Sequence, residues 1–177
     1  MKNKWLLCFS LYFWNKIDTM KVYDRKGVGV FLLQKNSKLG LSIDEITVGE
    51  KIHITEKIED KDLLLYLGLT NDNNPLYIQH DYAAMTPFQK PIVPTIMLNG
   101  IITSAVSKYI PGPGARIIEQ HIKYLGPLYH YELFDTLLEV TEVNKVQNTI
   151  TVSVHSYNEQ KELVIEGTLL VTPPLTL

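Results

Sequence analysis

One stretch, Thr95–Ile110, constrains the fold more than any other part of the chain. It is rich in Ile, Met, Leu, Ala and Val, contains Asn99, Gly100 and several Ser and Thr, and carries no charge until Lys108. Pro91 and Pro94 open it, and Pro111-Gly112-Pro113-Gly114 stops it firmly. A helix without a polar face is one wrapped on most sides by other structure. The residues that follow can supply the wrapping, because after Gly114 the hydrophobic period changes to two. Arg116–Leu125, Leu133–Val143, Thr149–Tyr157 and Leu163–Thr172 are four candidate strands. The third sets Ile150, Val152 and Val154 against Thr151, Ser153 and His155. Asn144–Asn148 and Asn158–Lys161 read as the hairpin turns between them. Upstream, Glu50–Glu56 reads as a strand with Ile52 and Ile54 on one face. Asp60 is an expected N-cap for a helix over Asp62–Leu69, and a second short helix is expected over Gln79–Ala84. The fold class that follows is α+β: a single domain whose long central helix is wrapped by a curved antiparallel β-sheet.

Charge separates this body from what precedes it. Residues 1–41 hold 8 Lys/Arg and 2 Asp/Glu, whereas residues 42–177 hold 9 and 17. The overall net of −2 excludes a globally basic nucleic-acid binder. The single cysteine, Cys8, excludes an internal disulfide and a Cys-based zinc cage. Residues 1–40 are therefore expected to be an N-terminal extension outside a domain spanning 41–174. Within the extension, Trp5–Trp14 is apolar apart from Ser10 and follows Lys2 and Lys4, the outline of a secretory signal. It is too short to span a bilayer, which takes about 20 apolar residues. The small residues of a cleavage point are missing, and no small residue precedes Cys8. The expectation is a dispensable extension ahead of Met20 and a cytoplasmic protein; membrane contact through residues 5–14 is the alternative. Val28–Leu33 reads as a short strand and Lys35–Lys38 as a polar linker.

The residues with chemical potential cluster between the short helices and the long one. Asp72-Asn73-Asn74-Pro75-Leu76-Tyr77 is dense in polar groups and lies about twenty residues before the Pro-opened helix. Backbone N–H groups at the first turn of a buried helix are free donors at the positive end of its dipole, able to hold a developing oxyanion such as a polarised thioester carbonyl. A carboxylate beside such donors is an acid/base arrangement. The plainer alternative is a turn, in which Asp72 only caps its neighbours.

The run Thr70-Asn71-Asp72-Asn73-Asn74-Pro75-Leu76-Tyr77 resembles the MaoC-like family. So do Tyr82-Ala83, Thr86-Pro87-Phe88, Pro91-Ile92-Val93, Pro111-Gly112-Pro113-Gly114 and Tyr124-Leu125-Gly126-Pro127. These are the (R)-specific enoyl-CoA hydratases and dehydratases of the hot-dog fold, and the resemblance covers residues 41–174. It implies a homodimer with an acyl-thioester tunnel near the subunit interface. It also implies an Asp and a His in a D-x-N-P-x-H motif that activate water, and a backbone N–H at the start of the central helix that holds the thioester carbonyl. Carried over, Asp72 is the catalytic Asp, Asn74 the motif Asn, and Thr95 the donor of the oxyanion N–H. Pro94, Ile96, Asn99 and, in a later loop, Tyr129 are expected to line the substrate.

Three positions depart from the pattern. Tyr77 stands where the motif has His, Pro94-Thr95 where it has His-Gly, and Asn71 where it has Gly. Tyrosine has an unperturbed pKa near 10 against about 6.5 for histidine, so Tyr77 can donate a hydrogen bond but accepts a proton poorly. Proline suits a first helical position, so the Thr95 N–H survives its substitution. His80 would stand near Tyr77 if that stretch is helical; His53, His121, His130 and His155 have no metal-like spacing. No metal and no cofactor beyond the pantetheine of the substrate is expected. Three functions compete: a hydro-lyase on an acyl-CoA or acyl-carrier-protein thioester, an acyl-thioester-binding or structural hot-dog protein lacking activity, and, last, a hot-dog thioesterase suggested by Asn73-Asn74-x-x-Tyr77. Lys90, Arg116 and Lys123 are the basic residues of an acidic body to be weighed as anion contacts.

Overall fold

The computed structural model describes residues 39–175 in full and, in addition, the backbone of 19–23 and 29–34. Trp5–Trp14, Cys8 and the Lys35–Lys38 linker lie outside the described residues. The chain divides into two compact units, Met1–Lys38 and Leu39–Leu177. In the first, β1 (Thr19–Tyr23) pairs antiparallel with β2 (Gly29–Gln34), the strand expected at Val28–Leu33.

The second unit is built on a five-stranded sheet. Its strands are β3 (Lys51–Lys57), β4 (Arg116–Tyr124), β5 (Leu133–Asn144), β6 (Thr149–Tyr157) and β7 (Leu163–Thr172). Spatial order is β3-β5-β6-β7-β4, every pair antiparallel. The hairpins fall where Asn148 and Lys161 adopt positive φ, at 52° and 63°. Alternation decides which face is buried: Ile150, Val152 and Val154 are inaccessible, as are Val164, Ile165, Leu169 and Val171 on the neighbouring strand or close to it. β7 and β4 approach so closely that a Cβ on Gly167 would stand 2.3 Å from the His121 carbonyl oxygen, which only glycine permits.

Four helices complete the unit: α1 (Asp60–Thr70), α2 (Pro75–Ile78), α3 (His80–Ala84) and α4 (Thr95–Lys108). The N-cap of α1 is Glu59 and not Asp60, which is the first helical residue. The Glu59 N–H donates to Asp62 Oδ2 at 3.0 Å, so the third helical residue reaches back to the cap. α4 is the apolar helix, and Leu98, Ile102, Ala105 and Val106 join the sheet residues in one hydrophobic core. Its wrapping is less complete than the sequence suggests. Ile96 on the opposite side is 53% exposed, and Gly100, Ser107 and Tyr109 are exposed as well. The sheet covers one side of α4, and the other, uncharged side lies open in the single chain. The turn after α4 is tied back to the start of the unit, where the Gly40 N–H donates to the Pro113 carbonyl at 2.7 Å and the Leu41 N–H to that of Pro111 at 2.8 Å.

Candidate active site

The polar motif occupies the turn between α1 and α2, and each of its residues has a local reason for its place. α1 ends at Asn71, whose φ of 54° and ψ of 30° are left-handed, with its N–H bonded to the Leu67 carbonyl. Asparagine tolerates that conformation better than most side chains with a Cβ, so Asn71 can stand where the motif has Gly. Chain reversal there brings Asp72 back onto α1, where Tyr66 Oη donates to Asp72 Oδ2 at 2.7 Å. The second carboxylate oxygen, Oδ1, accepts the Asn74 N–H at 3.2 Å, the turn geometry that asparagine and aspartate favour. Asn74 in turn caps α2, its Oδ1 accepting the Leu76 N–H at 3.1 Å, with Pro75 at the first helical position. Asp72 is half-buried and Asn74 exposed. Asp72 and Asn74 therefore divide two tasks: one presents an oriented carboxylate, the other builds the turn that orients it.

Tyr66 is the residue of this site that sequence reading missed. It lies within the helix expected over Asp62–Leu69, where no role was assigned to it. A single hydroxyl-bearing aromatic on a leucine helix, six residues before the motif Asp, is the signal that marks it. Burial, and next the hydrogen bond to Asp72, push the Tyr66 phenol above the usual tyrosine range; the Tyr77 phenol acts on it in the same direction.

Tyr77 turns its other side to a cavity of about 420 Å³ bounded by α1, α2 and the loop before β5. His80, the expected neighbour, lines the same cavity, as does Tyr129. Tyr129 is fixed by Oη donation to the Phe88 carbonyl at 3.0 Å, and the 91–93 segment is held by the Ile92 N–H on the Leu76 carbonyl and by an antiparallel bridge from Ile92 to Tyr129. Tyr77 and Tyr129 are thereby brought together, while Asp72 does not line the cavity.

The remaining expected residues sit at the start of α4. Pro94 is its buried N-cap and Thr95 its first, exposed residue. No acceptor takes the Thr95 or Ile96 N–H among the described residues, leaving two of the free donors expected at a helix start. Asn99 is buried with its Oδ1 unpartnered. No hydrogen bond joins these residues to Asp72 or Tyr77 among the described residues; the link is the backbone tie from Ile92 to Leu76. His53, His121 and His155 stand apart on strands β3, β4 and β6. Of the basic residues, Lys123 is paired with Glu166 at 3.0 Å, whereas Lys90 sits over the Tyr129 ring, Nζ 4.6 Å from its centroid.

The sequence is 27% identical over 131 residues to an (R)-specific enoyl-CoA hydratase from Rhodospirillum rubrum, covering 74% of this chain and 90% of that protein. It is 27% identical over 138 residues to a 3-hydroxybutyryl-CoA dehydratase from Methylorubrum extorquens, covering 76% and 85%. Among solved structures, the unliganded R-hydratase PhaJ1 from Pseudomonas aeruginosa superposes with a TM-score of 0.72 at 26% identity, covering 77% of this chain and 88% of that one. The fold is the hot-dog fold. The MaoC like domain matches residues 44–161, about two thirds of the chain and the whole of the motif loop, α4 and most of the sheet. This chain belongs to the MaoC-like family.

Proposed function

We propose that the protein is a MaoC-type hydro-lyase that adds or removes water at a 2-enoyl/3-hydroxyacyl thioester carried by CoA or an acyl-carrier protein. Asp72 carries the reading. It stands at the motif position of a hydratase and dehydratase family, and two hydrogen bonds fix its carboxylate while leaving each oxygen a lone pair for water. Asp72 is the base, the Thr95 N–H the carbonyl donor, and Tyr77 a hydrogen-bond donor. The α4 start supports the second role through its free N–H groups. Pro94, Ile96, Asn99 and Tyr129 line the acyl thioester. No metal or further cofactor takes part beyond the pantetheine of the substrate.

A homodimer is part of the same reading. β4 pairs with β7 on one edge only, Ile118 on it is 45% exposed, and the uncharged outer side of α4 lies uncovered. A second copy would cover both. A cytoplasmic location fits a chain in which no described helix is long and apolar enough to cross a membrane. Tyr77 in the His position favours one second reading: an acyl-thioester-binding subunit without turnover. Loss of the enoyl absorbance of crotonyl-CoA separates the two. Hydration that disappears in Asp72→Ala supports the hydro-lyase; retained acyl-CoA binding with no turnover at high enzyme concentration supports the binder; release of free thiol would point to thioesterase chemistry instead.

A further inference from the structure

Three irregularities meet at the cavity beside Tyr77. The first is His130. Its Nδ1 lies 3.5 Å from Asp60 Oδ1, its side chain is 12% exposed, and its Nε2 is buried with no partner. A buried polar atom left unsatisfied is rare in a folded protein and asks for a reason. The second is the next residue, Tyr131, at a φ of 68°. A bulky side chain in the left-handed region is strained, and such strain collects at ligand clamps. The third is Lys90, which has no carboxylate within 4.0 Å among the described residues although the surrounding body is acidic. Its ammonium is held over the Tyr129 ring at the cavity wall.

These features share one space of about 420 Å³, within the size range of small-molecule sites. Leu63, Leu64, Ile78 and Pro91 give it an apolar floor, and Lys90 and His80 give it a basic side. Asp60, the acid of the cavity, is already faced by His130. A plain alkyl chain would leave the Lys90 charge unanswered, whereas a chain ending in an anion would answer it and still cover the apolar floor. Tyr77 joins this space to the Asp72 turn, since it lies on α2, whose cap Asn74 donates its N–H to the Asp72 carboxylate.

We infer that this cavity receives the acyl end of the substrate and that Lys90 selects acyl groups terminating in a carboxylate; this rests on the hydro-lyase reading above. Lys90 is then a specificity residue, with His80 a second donor to the same carboxylate. The chemical class is the half-thioester of an unsaturated dicarboxylic acid, the carboxylate lying at the end of the chain remote from the thioester.

The test pairs two substrates of equal length, trans-2-hexenoyl-CoA and trans-2-hexenedioyl-CoA, with wild-type protein and Lys90→Gln. Calorimetric binding of the saturated analogues hexanoyl-CoA and adipyl-CoA runs in parallel. The diacid is expected to have the higher kcat/KM and the tighter binding. Lys90→Gln is expected to lower both for the diacid by about tenfold more than for the monoacid, as for a charge-assisted hydrogen bond at a partly solvated site. Equal handling of the two acyl groups by wild type, or an equal loss for both in Lys90→Gln, overturns the inference while a measured hydration rate keeps the hydro-lyase reading. Lys90-dependent binding of adipyl-CoA without any hydration upholds the cavity and its anion and overturns the hydro-lyase reading instead. Failure to bind either analogue overturns the inference.

Discussion

Tyr66 and Asp72 close the end of helix α1 with a single hydrogen bond, Oη to Oδ2 at 2.7 Å, and that bond makes the phenol report on the carboxylate. Burial first and Asp72 second raise the phenol above the usual range. Asp72→Asn removes the negative charge but keeps the burial. Tyr66 in that variant is therefore expected to ionise at a lower pH than in wild type, without returning fully to the free value. Ring-carbon NMR across a pH titration reads this, with Tyr66→Phe assigning the resonance among ten tyrosines. A resonance that titrates identically with and without the carboxylate would contradict the bond. In the same variant hydration of crotonyl-CoA is expected to fall by about 10²–10⁴-fold, the range for loss of an acid/base group.

Tyr77→His restores a side chain that exchanges protons near neutral pH. The ring is smaller and the cavity beside it open, so no clash opposes the change. An increase in kcat of about 10²-fold is expected with crotonyl-CoA. Steady-state rates of the two proteins decide it; an unchanged rate would mean that the phenol itself carries out the donor step.

Asp135 supplies an acid-stability test away from the site. It is buried on β5, where Lys161 on the β6–β7 turn and Thr55 on β3 both donate to it, and these two partners, Lys161 foremost, hold its carboxyl below the usual carboxylate range. A carboxyl depressed in the folded state contributes stability that is fully present above its unfolded value of about 4 and is lost as pH falls through the lower folded value. Asp135→Asn should flatten that acid limb. At neutral pH it should cost about 1–3 kcal/mol through the weakened Thr55 and Lys161 contacts. Melting temperature measured between neutral and strongly acidic pH gives both quantities.

Gly167→Ala places a methyl carbon 2.3 Å from the His121 carbonyl oxygen and 2.7 Å from Ile122 Cδ1. The β7–β4 ladder must open to admit it. A loss of about 1–3 kcal/mol is expected, with faster amide exchange along Arg116–Tyr124 than along Thr149–Tyr157. Uniform exchange over both strands would show that β4 has other support.

Most of the sheet was legible because period-two alternation and Asn-rich turns are local signals. β6 spans Thr149–Tyr157 as its alternation indicates, and β5 runs one residue beyond Val143. The apolar helix was equally plain, but how far it is covered depends on partners in space, and Ile96 shows the difference. At the motif, the polar cluster was visible in the residues, and the resemblance to the MaoC-like family singled out Asp72 and Asn74 within it. The partner Tyr66 was not singled out, because it is set by the left-handed turn at Asn71, which folds the chain back over six residues. The cavity was out of reach for a similar reason. Tyr77 and Tyr129 meet through the bridge between Ile92 and Tyr129, a pairing of distant segments with no local pattern to announce it. His130 accordingly showed in the sequence only a lack of metal-like spacing, although its Nε2 is buried and unpartnered.

The bonds from Gly40 to Pro113 and from Leu41 to Pro111 fix where the polypeptide leaves the hot-dog unit. That exit lies at the C-terminal end of a 14-residue helix, about 21 Å along its axis from Thr95. A purification tag or reporter fused immediately ahead of Leu39 would emerge at the pole opposite the Thr95 donors. Immobilising the protein by that end would leave the pole that carries Thr95 turned toward solvent, an orientation suited to surface-binding measurements with acyl-CoA.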